Sequence, residues 1–162
     1  MFSLKDNSRL SIEEFLADPT TPILIDVRGS TDADPTIPGS IRVYVLDIDE
    51  HTSAFEKRFE SQLARRPMLL YCSKGESSGY LQKKFSKKYR VLSLQGGMVA
   101  YLTTISRLLH DHPYGDSKKK GDTMVKLLKT LTNRETDPAT FRKIVNRLLS
   151  CTPNPKFKKL VR

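Results

Sequence analysis

Cysteine is almost absent from this chain of 162 residues, and its two copies, Cys72 and Cys151, are too few for a disulfide framework. No CxxC pair offers metal-site spacing, so neither a metal nor a cofactor is expected. Long apolar runs are missing as well. None approaches the ~20 residues needed to cross a bilayer, and Met1-Phe2-Ser3-Leu4-Lys5-Asp6 lacks the pattern of a signal peptide. These absences predict a protein with no membrane partner in a reducing, cytoplasmic setting.

Acidic side chains are scarce in one region only. Residues 1–102 hold fourteen Lys/Arg against thirteen Asp/Glu, whereas residues 103–162 hold fourteen against five. Nearly all of the net charge of +10 therefore sits in the last sixty residues. Aromatics are few there too (Tyr114, Phe141 and Phe157), so a base-stacking platform is not indicated. Such a surface suits an acidic protein or a nucleic acid through charge attraction. A merely solvated face is the plainer alternative.

An apolar content of 38% is enough for a packed core, and the length suits one ordinary domain with a short appendage. Ser11 and Glu14 form a capping-box pattern that opens a short helix ending before Pro19. Ile23-Leu24-Ile25-Asp26-Val27 reads as a strand buried on both faces, with Arg28 just beyond. Asp26 is expected to bind loop backbone or pair with a nearby arginine. After a polar loop, Gly29 to Thr36, a short strand is expected over Ser40–Val45 and a helical stretch over Asp47–Arg66. Pro67-Met68-Leu69-Leu70 predicts a strand, Ser77–Lys88 a helix, Arg90–Leu94 a strand and Met98–Leu109 a helix. Alternating strands and helices imply one α/β domain with a largely parallel sheet. Ligands of such sheets bind beyond the carboxyl ends of the strands, where Asp26/Arg28, Cys72 and Gln95/Gly96 all fall.

Tyr71-Cys72-Ser73-Lys74-Gly75-Glu76-Ser77-Ser78-Gly79 is the stretch with chemistry in it. Cys72 lies where a strand hands over to a helix, so backbone N–H groups and the helix N-terminus can stabilise a thiolate. Lowering a thiol pKa by about two units takes only about 2.7 kcal/mol. The bland alternative is a small buried hydrophobe ending a core strand. Gly75, Ser77, Ser78 and Gly79 tip the reading toward chemistry, because a purely structural turn needs no such length of small side chains and open backbone. His51, His110 and His112 lie outside these motifs and are expected in solvent.

Three segments, taken together, resemble a known family. Ile25-Asp26-Val27-Arg28 with Ile37-Pro38-Gly39-Ser40-Ile41 resembles the first signature of rhodanese domains. Tyr71-Cys72-x-x-Gly75-x-Ser77-Ser78 resembles their active-site loop, and Leu94-x-Gly96-Gly97-x-x-x-Tyr101 their closing signature. The resemblance covers roughly residues 2–108, about the span of one domain. It implies a rhodanese-like parallel sheet of about five strands flanked by helices, and a sulfurtransferase. Cys72 would be the catalytic nucleophile, taking the outer sulfur of a small anionic donor such as thiosulfate and passing it to a thiol or cyanide-like acceptor. Ser73, Lys74, Gly75, Glu76, Ser77 and Ser78 would form the substrate-binding loop, and Asp26 and Arg28 the supporting rim. The loop before Ile37 is one residue shorter than the usual pattern, and Pro35-Thr36 stands where Gly-His is common. Glu76 puts a negative charge in the loop, offset by Lys74, so a persulfide donor stands beside thiosulfate. The sixth residue after Cys72 is Ser78, and no arginine in the loop could clamp a phosphoryl group, which argues against phosphatase chemistry. The alternative is a catalytically weak rhodanese-like module recruited to an anionic partner by its basic C-terminal helices.

Residues 1–110 are thus expected as the rhodanese-like domain, 111–122 as a linker and 123–162 as a basic helical extension. Asp122 or Thr123 can cap a helix bearing Met124, Leu127, Leu128 and Leu131. Asp137 and Pro138 can open a second, with Phe141, Ile144, Val145, Leu148 and Leu149 on one face. Neither can stand alone, so a hairpin must pack on itself, on the domain or on a partner. Cys151 is expected as a packed helix-end thiol, with a resolving role toward Cys72 as the alternative. The terminus from Pro155 is expected to fray.

Overall fold

Ile23–Asp26 and Met68–Tyr71 are buried at every position, the condition that selects apolar residues on both faces of a strand. They form β2 and β4 at the centre of a parallel sheet. The other strands are β1 (Arg9–Leu10), β3 (Ile41–Arg42) and β5 (Val91–Leu94), and the order is β1-β5-β4-β2-β3. The computed structural model describes residues 8–29, 34–115, 118–158 and 160. The Met1–Asp6 stretch, the centre of the Gly29–Thr36 loop and the extreme C-terminus lie outside these residues.

Side chains alternate across the sheet and build two cores. Leu24, Leu69, Tyr71, Leu92 and Leu94 join a cluster with α1 (Ile12–Ala17) and α5 (Gly97–Asp111). Ile23, Ile25, Met68, Leu70 and Val91 point the other way, toward α2 (Val45–Glu50), α3 (Thr52–Leu63) and α4 (Glu76–Phe85). This is the parallel α/β sheet that the alternating pattern and the resemblance imply.

The extension is three helices: α6 (Lys120–Leu131), α7 (Pro138–Cys151) and α8 (Pro155–Lys158). α6 and α7 lean on α5, and α7 also on α1. Leu131, Phe141, Val145, Leu148, Leu149 and Phe157 share one apolar cluster with Tyr101 and Ile105 of α5. Each such burial is worth about 1.5–3 kcal/mol, so of the expected arrangements these helices adopt packing on the domain. Phe157 is only 1% exposed, which corrects the expectation of a frayed stretch from Pro155. The apolar side chain outweighs the lysines around it.

Local differences have local causes. The strand expected over Ser40–Val45 stops at Arg42, because Tyr44 already acts as the N-cap of α2. The helical stretch of Asp47–Arg66 breaks at His51, whose φ of -124° and ψ of 50° are not helical. The linker expected over 111–122 is shorter, since α5 runs to Asp111 and α6 begins at Lys120. The Asp137 cap and the Pro138 start of α7 are as read, with the Asp137 carboxylate accepting from the Thr140 N–H at 2.8 Å.

Candidate active site

Tyr71 ends β4 facing the α5 side, so Cys72 turns toward α4. Gly75, at φ +104°, reverses the chain there and serves as the N-cap of α4. The turn aims two amides at the Cys72 sulfur and sets a hydroxyl beside it. The Gly75 N–H lies 3.1 Å from Sγ, and the Ser78 N–H and hydroxyl each lie 3.5 Å away. Burial works against charge on this thiol, but hydrogen bonds from the Ser78 hydroxyl and from the Ser78, Gly75 and Lys74 backbone outweigh it. The Cys72 pKa is lowered.

The sulfur's support comes from below as well. Met98 N–H donates to the Cys72 carbonyl at 2.8 Å, and Val99 N–H to that of Ser73 at 3.1 Å. Only glycine fits at position 97. An added Cβ there would meet the Cys72 carbonyl oxygen at 2.3 Å, and φ is +56°. Gly96 and Gly97 therefore underlie the loop and do not line the cleft above it.

That cleft has a volume of about 620 Å³, and Cys72 is 7% exposed at its wall. Ser73, Lys74, Glu76 and Ser77 line it from the loop, and Arg28, Asp34, Pro35 and Tyr44 from the opposite rim. Gly75 and Ser78 serve the sulfur from beneath. Asp26 is fully buried and does not reach the cleft. Desolvation opposes its charge, but hydrogen bonds from Arg28, above all, and from Arg42 hold the carboxyl below its usual range. Arg28 binds it in fork geometry at 2.9 and 2.8 Å, and Arg42 adds a bond at 2.9 Å. Arg28 also donates to the Pro35 carbonyl at 2.6 Å, so the Asp26 cluster fixes the rim.

Several parts of the site carry no local signal in the sequence. Arg42 is a second partner of Asp26. Tyr71 donates to the Ser40 hydroxyl at 2.9 Å and accepts from the Ile37 N–H at 3.2 Å, which pins Ile37-Pro38-Gly39 to the sheet. Burial and the nearby Asp26 charge push its phenol up to about 12, so it stays a neutral donor. The extension holds the same segment from outside. Thr36 N–H donates to the Thr132 carbonyl at 2.9 Å, and Gly39 N–H to the Arg134 carbonyl at 3.0 Å. Gly75 and Gly79 in a hydroxyl-rich loop advertised the thiol site; nothing local advertised a rim held from nearly a hundred residues away.

Cys151 is exposed at the end of α7, which corrects the expectation of a packed thiol. His51 and His110 are exposed, and His112 is half-buried with its ring edge-on to Tyr114. Among the described residues no cluster of His, Cys, Asp or Glu could hold a metal ion, and no helix is long and apolar enough to cross a membrane.

With this geometry in view, comparison with protein families matches residues 11–104 to the Rhodanese-like domain. The chain belongs to the rhodanese-like family. Among solved structures, this rhodanese-like chain is similar to a Staphylococcus saprophyticus protein at 18% identity, covering 56% of this chain and 89% of that one, with a TM-score of 0.44. Reduced CoADR-RHD from Bacillus anthracis is 22% identical, with a TM-score of 0.46. That match covers 62% of the rhodanese-like chain but only 17% of the other. A rhodanese homologue from Thermus thermophilus is 28% identical over 57% of this chain and 98% of its own, with a TM-score of 0.40. A search of curated proteins finds no match.

Proposed function

We propose that the protein is a sulfurtransferase that carries a sulfane sulfur on Cys72. The observation that supports this most is the sulfur's position at the N-terminus of α4. Two amides and a hydroxyl lie within 3.5 Å of it, and it borders an open cleft with cations at Arg28 and Lys74. The Cys72 thiolate attacks the outer sulfur of an anionic donor such as thiosulfate. A new S–S bond forms, the donor's S–S bond breaks, and sulfite leaves with the electron pair. The resulting persulfide is an anion in the same field of donors. An acceptor thiolate or cyanide then attacks the terminal sulfur, and Cys72 leaves as the thiolate it was. The loop's donors lower the Cys72 pKa, which takes the place of a histidine base in this reading.

The deciding experiment incubates the protein with thiosulfate, and then with polysulfide, and reads the intact mass beside Cys72→Ser. A gain of one sulfur, reversed by cyanide or dithiothreitol and missing from Cys72→Ser, is expected. Folded, reduced protein that gains no sulfur from either donor overturns the reading.

A second reading concerns the extension. Lys126 and Lys129 on α6, and Lys143 and Arg147 on α7, are exposed, and none makes an ion pair among the described residues. These cations would hold an anionic partner, with binding that survives Cys72→Ser and weakens steeply with salt.

A further inference from the structure

β5 carries one side chain that its surroundings do not favour. Ser93 sits between Leu92 and Leu94 and shares the face of Val91, which packs with Leu70, Leu81 and Phe85. It is 3% exposed. A hydroxyl in such a place costs stability unless it is hydrogen-bonded. Its partner is the Ser78 hydroxyl, with the two oxygens 2.7 Å apart. Ser78, fully buried itself, is the residue whose hydroxyl lies 3.5 Å from Cys72 Sγ.

A hydroxyl has one proton to donate. Ser78 can point it at the sulfur or at Ser93, and only the first choice stabilises a thiolate. We propose that Ser93 is a positioning residue that donates its proton to the Ser78 oxygen and so turns the Ser78 proton onto Cys72. The two serines form a relay from the sheet to the sulfur, Ser93 Oγ–H to Ser78 Oγ–H to Sγ. Each bond polarises the next, and the chain ends on the anion. When the thiol is protonated, both bonds can reverse without moving a heavy atom.

Among the described residues, the charged and titratable groups that line the cleft around the sulfur are Arg28, Asp34, Tyr44, Lys74 and Glu76. None belongs to β5, so replacing Ser93 leaves that field in place. The test reads the pH profile of Cys72 alkylation by iodoacetamide in a Cys151→Ser background, with circular dichroism to confirm folding. Ser93→Ala is expected to raise the profile's midpoint by about half a pH unit, and Ser78→Ala by more. Ser93→Thr keeps the hydroxyl on a strand-forming residue, and should keep the midpoint. In a Ser78→Ala background, Ser93→Ala should add no further shift, since Ser93 reaches the sulfur only through Ser78.

Three results overturn the relay: an unmoved midpoint in Ser93→Ala, an equal shift from Thr and Ala, or an undiminished shift in the Ser78→Ala background. A purely structural Ser93 would lower thermal stability and leave the midpoint where it was. The proposal deepens the sulfurtransferase reading but is read without any sulfur donor. Failure to form a persulfide and failure of the relay are therefore separate results.

Discussion

Cys72 follows a strand and precedes a helix, whereas Cys151 is the last residue of a helix. The unpaired backbone groups at the start of a helix are N–H donors, and those at its end are carbonyls. Cys72 accordingly collects the Gly75 and Ser78 amides, while the partner of the Cys151 sulfur is the Ser150 hydroxyl at 3.6 Å. Burial differs in the opposite sense from what accessibility alone would suggest. The enclosed thiol is the one with the lowered pKa, because hydrogen-bond donors form part of its enclosure. The type of helix end beside a cysteine says more about its use than its exposure does.

The strongest way to break this contrast is Gly97→Ala. A Cβ at 2.3 Å from the Cys72 carbonyl, at positive φ, forces the loop off its support. We expect a loss of about 4 kcal/mol in urea unfolding, with sulfur loading lost in whatever remains folded. Wild-type stability in this variant would mean that α5 does not hold the loop as described.

Asp26→Asn comes next, because it leaves Arg28 and Arg42 without their shared carboxylate. A loss of about 3 kcal/mol at neutral pH is expected. Asp26 has a depressed carboxyl pKa, so its contribution is present above the unfolded value of about 3.9 and disappears as pH falls through the folded value. The gap between wild type and variant in urea titrations should therefore close in acid. A gap that stays constant to low pH would assign the loss to packing and not to charge.

A smaller effect sharpens the contrast at the sulfur itself. In Cys151→Ser protein, the midpoint of Cys72 alkylation against pH should lie below the ordinary cysteine value of about 8.5. The depressed pKa also means that the thiolate's contribution to stability is present above the unfolded value and lost as pH falls through the folded one. Wild type should then gain on Cys72→Ser as pH rises. A profile centred at or above the ordinary value would remove the special status of this loop.

Much of this was legible in the amino-acid order because it is local. The Cys72–Gly79 loop, the Asp26–Arg28 pair and the Asp137-Pro138 helix start each lie within a few residues. β1 was not legible, since two residues carry no period and Arg9–Leu10 becomes a strand only by pairing with Ser93 and Leu94. Arg42 reaches back sixteen residues to Asp26. Phe157 hides among lysines, and its burial depends on the cluster it shares with α5 and α7. Ser93 is the most instructive case. One serine in an apolar strand looks like ordinary variation until the fold sets it against Ser78.

The smallest effect is expected from Cys151→Ser alone, and it decides whether the two thiols ever work together. A resolving thiol would attack the Cys72 persulfide at its inner sulfur, form a Cys72–Cys151 disulfide and release hydrosulfide. Disulfides need Cα atoms within about 7 Å. Gly97, at the start of α5, touches the Cys72 carbonyl. Thr152, next to Cys151, borders a cavity with Arg107, Leu108 and Asp111 toward the other end of that helix. Ten residues of α-helix from Gly97 to Arg107 rise about 15 Å. Sulfur loading and its discharge to cyanide should therefore be the same in Cys151→Ser as in wild type, with no internal disulfide in the mass spectrum of the discharged protein. A wild-type protein that loses two hydrogens on discharge, and a variant that does not, would tie the two ends of the molecule into one redox cycle.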